Sequence, residues 1–114
     1  MNVPKILDAA NPDMFTHLQA SINYTILNRR DGKKLLSGYS LKVFEALFEG
    51  NSFVRIDRSN LVNRAYISGI SDRKDGTYIH LKNHTKLLIP RRRKATLLSQ
   101  YPNLLNLTFN ASLT

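Results

Sequence analysis

Apolar positions along this 114-residue chain recur mainly in short runs of strand length, separated by polar clusters, with one stretch at helical spacing. Val3, Ile6 and Leu7 fit either a short strand or one helical turn, and Asn11-Pro12-Asp13 reads as a turn. Met14 to Ala20 predicts a first strand around Phe15. Asn23-Tyr24-Thr25-Ile26-Leu27, rich in β-branched and aromatic residues, predicts a second. Asp31-Gly32 marks a hairpin turn, because glycine enters the left-handed backbone region without steric cost, and Lys34-Leu35-Leu36 returns. The period then changes. Ser40 suits an N-cap, Leu41, Phe44, Leu47 and Phe48 fall on one helical face, and Gly50 sits where a C-terminal cap belongs. A helix over about residues 41–49 follows, its apolar stripe turned to a sheet.

Residues 53–64 begin as a strand, with Phe53, Val54 and Ile56, and break into a polar knot, Asp57-Arg58-Ser59-Asn60. Short polar side chains that bond their own backbone make good turns. The same side chains can bond phosphate or base edges. Locally the turn reading is the stronger, and the case for binding comes from the rest of the chain. Downstream, Ala65 to Ser71, Thr77 to Leu81 and Lys86 to Ile89 predict a three-strand meander, turned through the polar loop Asp72-Arg73-Lys74-Asp75-Gly76 and at Lys82-Asn83-His84. Pro90 closes the last strand, since it lacks a ladder donor. Arg91-Arg92-Arg93-Lys94 follows, then a short helix over Ala95 to Leu98, stopped at Tyr101-Pro102. The tail from Asn103 to Thr114 keeps Leu104, Leu105, Leu107 and Phe109, so part of it is expected to pack or to meet a partner.

Charge sharpens this outline. The net charge is +9 and the pI near 10.2. Residues 1–50 hold six basic and five acidic side chains, whereas residues 51–114 hold eleven and three. Basic charge concentrated in one half is an electrostatic footprint for a polyanion, and nucleic acid is its first candidate. The densest run, Arg91 to Lys94, stands at a helix start, where cations oppose the macrodipole. That arrangement favours a binding role over a merely solvated helix end.

Other chemistries find little support. Cys is absent, which removes disulfides and thiolate metal sites and suits a cytoplasmic protein. There is no apolar run of about 18 residues and no basic-then-apolar leader, so neither a membrane span nor export is expected. His17, His80 and His84 lack metal-ligand spacing with acidic partners. Ser59 near Asp57, with His80 downstream, invites a hydrolase reading, but no nucleophile elbow or Gly-rich oxyanion loop accompanies it. No Walker or dinucleotide fingerprint occurs. No enzyme, metal or cofactor is expected.

The ordered motifs carry a family resemblance. Phe53-Val54-Arg55-Ile56-Asp57-Arg58-Ser59-Asn60-Leu61-Val62-Asn63 resembles the Phe-x-Arg-x-His-Arg-Ser-x-x-Val-Asn signature of LytTR-type DNA-binding domains of bacterial transcription regulators. Asn23-Tyr24-Thr25, Asp31-Gly32-Lys33 and Ser40-Leu41-Lys42 resemble the family's upstream landmarks, and Leu88-Ile89-Pro90-Arg91-Arg92-Arg93 its closing segment. The likeness covers about residues 13–99. It implies a mainly β fold of small antiparallel sheets packed together, with one amphipathic side helix and a short C-terminal helix. It divides the chain into an N-terminal segment (1–12), the DNA-binding domain (13–101) and an apolar tail (102–114).

By the same resemblance, loops enter successive major grooves of double-stranded DNA. The residues carried over are Asn23, Arg58, Ser59, Asn63 and Arg91, with Arg92, Arg93 and Lys94 as phosphate partners. The implied partners are duplex DNA, a second copy on repeated sites, and an upstream sensor or receiver. No receiver domain precedes the motifs, so a stand-alone regulator or one domain of a larger one is expected. Asp57 stands where the family has His, and a carboxylate there repels phosphate unless Arg55 or Arg58 pairs with it. Pro90 replaces the usual Ser and removes a hydroxyl and a backbone donor. The competing reading is a basic module for RNA or another polyanion, without sequence specificity.

Overall fold

Turn chemistry and strand alternation organise most of the chain, in a computed structural model that describes residues 11–50 and 53–100. The expectations for residues 1–10 and for the tail lie outside the described residues. A 3-10 turn at Pro12–Met14 is capped by the Asn11 carboxamide, which accepts from the Asp13 N–H at 2.9 Å. Five strands follow: β1 Phe15–Ala20, β2 Thr25–Arg29, β3 Lys34–Ser37, β4 Phe53–Arg55 and β5 Asn60–Asn63. They form one antiparallel sheet in the order β3-β2-β1-β5-β4. Helix α1, Leu41–Leu47, lies between β3 and β4 in sequence.

Strands β6 (Ile67–Arg73), β7 (Gly76–Leu81) and β8 (Lys86–Ile89) make a second, three-stranded antiparallel sheet in sequential order. Helix α2, Arg91–Gln100, follows Pro90 directly. The chain divides into two compact units between Ala65 and Tyr66, and each sheet belongs to one of them.

In the first unit the helical stripe behaves as its spacing requires. Leu41, Phe44 and Phe48 join Phe15, Leu18, Leu27 and Leu61 in one core cluster. The Phe48 ring lies 4.7 Å from that of Phe53 and 6.4 Å from that of Phe15, within the range of favourable aromatic pairs. Ser40 accepts from the Val43 N–H at its Oγ, 3.4 Å, and so serves as the N-cap. Gly50 adopts a φ of +86° just past the helix. Asp31 and Gly32 turn the β2–β3 hairpin as expected: Gly32 has a φ of +91°, and the Asp31 carboxylate accepts from the Lys33 N–H at 2.9 Å.

A β-bulge interrupts the β1–β2 pairing between Phe15 and His17. It leaves Thr16 and His17 both buried, where strict alternation would have turned one outward. Their polar atoms are accommodated with Asn28, itself buried. Thr16 Oγ1 donates to the Asn28 carbonyl at 3.3 Å and lies 3.0 Å from His17 Nδ1. His17 Nε2 lies 3.3 Å from Asn28 Nδ2. One proton arrangement satisfies all three: Nδ1–H donates to Thr16, and Nε2 accepts from Asn28. Burial, with the Lys34 charge nearby, holds the imidazole neutral, its pKa pushed down to about 4.

In the second unit the meander is tighter than expected. The β6–β7 pairing extends to Arg73 opposite Gly76, so only Lys74 and Asp75 form the turn. Gly76 has a φ of +149°, and a Cβ there would lie 2.7 Å from the Leu88 side chain. Helix α2 packs on β7, with Leu97 fully buried. No described helix is long and apolar enough to cross a membrane.

Candidate nucleic-acid interface

The polar knot at 57–60 turns a hairpin that the sequence does not announce. Its second strand, β5, starts at Asn60 and pairs with β4 and with β1. Asp57 shapes the turn: its Oδ1 accepts from the Ser59 N–H at 2.8 Å and from Asn60 Nδ2 at 3.2 Å. This is an Asx-type closure, in which the carboxylate replaces a backbone acceptor.

Arg55 braces the turn, a role that the sequence did not assign to it. Its Nε donates to the Asp57 carbonyl at 2.6 Å and its Nη2 to the Arg58 carbonyl at 2.9 Å. Its Nη1 pairs with Glu45 Oε1 at 2.9 Å, tying the turn to α1. A planar guanidinium can hold three acceptors in fixed directions, which a lysine cannot do. The sequence signal was its place at the Arg of the Phe-x-Arg signature, between the apolar Val54 and Ile56. With the backbone of the turn held from below, the side chains of Arg58 and Ser59 stand exposed.

The β1–β2 turn lies beside this one. The Ala20 N–H, at the end of β1, donates to the Ser59 carbonyl at 2.8 Å, and Gln19 pairs in register with Asn60. The Ser21 N–H donates to the Tyr24 carbonyl at 2.8 Å, leaving Ile22 and Asn23 as the tip. Asn23 is exposed. So Asn23, Arg58 and Ser59 are brought to one end of the five-stranded sheet, on two turns joined by a backbone hydrogen bond.

Asn63 does not join them. It is buried, its Nδ2 donates to the Phe15 carbonyl at 3.1 Å, and its Oδ1 accepts from the Ala65 N–H at 3.0 Å. Both halves of the carboxamide are spent on the fold, so its assignment as a DNA contact is corrected. Asn63 fixes the exit of β5.

In the second unit the helix begins at Arg91, and the arginine run forms its first turn rather than a linker before it. The Arg93 N–H donates to the Pro90 carbonyl at 2.8 Å. Successive helical side chains are about 100° apart, so the run fans out over the helix start. Arg91 and Arg92 are exposed, and Arg93 is partly buried. Lys94 is engaged: its Nζ lies 3.0 Å from Asp72 Oδ1, which also accepts from the Thr77 hydroxyl at 2.6 Å. The Thr77 hydroxyl, then Lys94, holds the Asp72 carboxyl below its ordinary range. Both partners of this ion pair are well exposed, so it is worth about 0–1 kcal/mol, and Lys94 as a ready phosphate clamp is qualified accordingly. Asp72, Arg73, Lys74, Arg91 and Lys94 line part of an open cleft of about 420 Å³ within this unit.

His80 Nε2 lies 2.7 Å from Ser71 Oγ, and burial, with Lys86 and Arg73 near, lowers its pKa. No group of three or more His, Asp or Glu that could hold a metal occurs among the described residues.

Three comparisons bear on this geometry. The family model for the LytTr DNA-binding domain matches residues 10–101. Among solved structures, the chain is similar to the LytTr DNA-binding domain of a protein described as a methyl-accepting/DNA response regulator from Bacillus cereus. The two share 26% sequence identity and a TM-score of 0.65, over 82% of each chain. No curated protein matches the chain.

Proposed function

This chain belongs to the LytTr DNA-binding domain family, and on that premise we propose that it regulates transcription by sequence-specific binding to double-stranded DNA. The observation that carries the proposal is the joining of two turns at one end of the five-stranded sheet, where Asn23, Arg58 and Ser59 are all exposed. Turns of this kind can enter a major groove and read donors and acceptors that a flat basic surface cannot. Arg58 and Asn23 are the proposed base readers, and Ser59 a phosphate contact. Arg91 reads from the start of α2, with Arg92 and Arg93 on phosphates. Lys94 contributes once it exchanges Asp72 for phosphate. The wider proposal is a cytoplasmic regulator whose copies bind repeated half-sites and take their input from a sensor or receiver.

Selection from random duplex DNA with the full chain tests this. An enriched motif is expected, held about 10³-fold or more above random duplex. Arg58→Ala and Arg91→Ala should each cost about 1–3 kcal/mol and relax preference at particular base pairs. Lys94→Ala should weaken all sequences alike. The alternative, a basic module for RNA or another polyanion, predicts no enrichment and one salt-steep affinity for every duplex.

A further inference from the structure

We propose that Ile22 is a specificity-determining residue, whose side chain contacts the 5-methyl group of thymine in the groove that the β1–β2 turn enters. The inference rests on the reading above that this end of the sheet faces DNA. Ile22 is 96% exposed, the most exposed of the large hydrophobic residues described. A single exposed aliphatic side chain is ordinary on a protein surface. Its setting here is not. Hairpin tips favour Gly, Asn, Asp and Ser, and a β-branched residue contributes nothing to turning the chain. The neighbours Ser21 and Asn23 follow that preference, and Ile22 departs from it.

The tip pair is therefore one carboxamide and one bare aliphatic group. Through the Ala20-to-Ser59 hydrogen bond it stands next to Arg58 and Ser59. Arg, Asn and Ser read donors and acceptors. None of them distinguishes the one apolar feature of the major-groove edge, the thymine methyl. A branched aliphatic chain does so by excluding water from it. A staple to the protein's own core is ruled out by the 96% exposure.

The test uses the full chain and the duplex site enriched by selection, with each thymine replaced by uracil in turn, which removes the methyl and nothing else. Wild-type protein should lose about fourfold affinity at one or two thymines, the factor carried by burial of one methyl group. Ile22→Ala should bind thymine and uracil equally at those positions, with an unchanged melting temperature. Uracil penalties that persist undiminished in Ile22→Ala, or no penalty for wild type at any thymine, overturn the inference. So does a concentration-dependent dimer that Ile22→Ala abolishes while leaving the uracil penalties intact, which assigns the side chain to a second copy of the chain. Absence of any enriched site defeats the functional reading itself. An enriched, Arg58-dependent site with Ile22-independent penalties defeats this inference alone.

Discussion

Acidifying the protein from pH 7.5 to 5 should destabilise the first unit through one buried histidine. His17 is 4% exposed, its Nδ1–H serves Thr16, and its Nε2 accepts from Asn28. A second proton on Nε2 would face the Asn28 amide donor at 3.3 Å, with burial and Lys34 opposing the new charge. The pKa therefore falls from 6.5 in the open chain to about 4 in the fold. Above pH 6.5 neither state binds the proton, and this contribution to stability is complete. Between pH 6.5 and 4 only the unfolded state binds it, so stability falls as pH falls, by up to about 1.4 kcal/mol per pH unit. At pH 5 the accumulated loss is about 2 kcal/mol. Asp31 and Asp72, whose pKa values are lowered from 3.8, act below this window and keep their contribution until lower pH.

Urea unfolding of wild type and His17→Gln at half-unit steps between pH 7.5 and 5 measures the effect. Glutamine retains an acceptor for Asn28 and carries no titrating group. The difference in stability between the two should shrink by about 2 kcal/mol across the range. His80 is present in both proteins and cancels. Parallel pH curves for the two proteins would refute the argument, as would an NMR titration placing His17 near 6.5.

Three further outcomes follow from the turns. Asp57→Asn keeps an acceptor for the Ser59 N–H and removes a charge from the turn proposed to face DNA, so it should bind duplex DNA more tightly, whereas Asp57→Ala opens the turn and should weaken binding; titration of both on the selected site decides it. Arg55→Lys should lower affinity for that site by about tenfold or more, since the ammonium can serve one carbonyl of the turn and the other loses a charge-assisted donor at about 1.5–3 kcal/mol, while the core cluster stays intact by near-ultraviolet circular dichroism. Gly76→Ala should cost about 1–3 kcal/mol in thermal unfolding, because its φ of +149° is costly for a residue with a Cβ and that atom would meet Leu88 at 2.7 Å.

Local chemistry alone determined much of this molecule. Asp31-Gly32 turns where it does because glycine tolerates the positive φ that hairpin needs, and Gly76, with its φ of +149°, opens β7 just past the Lys74-Asp75 turn. The stripe Leu41, Phe44, Phe48 could only be an amphipathic helix, and Ser40 its cap. The order of short motifs carried the family, since each piece reflects a local structure with its own residue requirements. Other features depended on partners distant in sequence. Asn63 looked like a reader and proved a core brace, because the Phe15 carbonyl that takes its proton lies 48 residues away. Strand β5 formed from a stretch with little strand propensity, because β1 and β4 offered it edges on both sides. The two carbonyls that Arg55 holds lie only two and three residues on, but its third partner, Glu45 on the helix, came from folding. A sequence specifies which side chains can bond; tertiary structure decides which acceptors reach them, and so which polar residues are spent on the fold and which stay exposed to meet a partner.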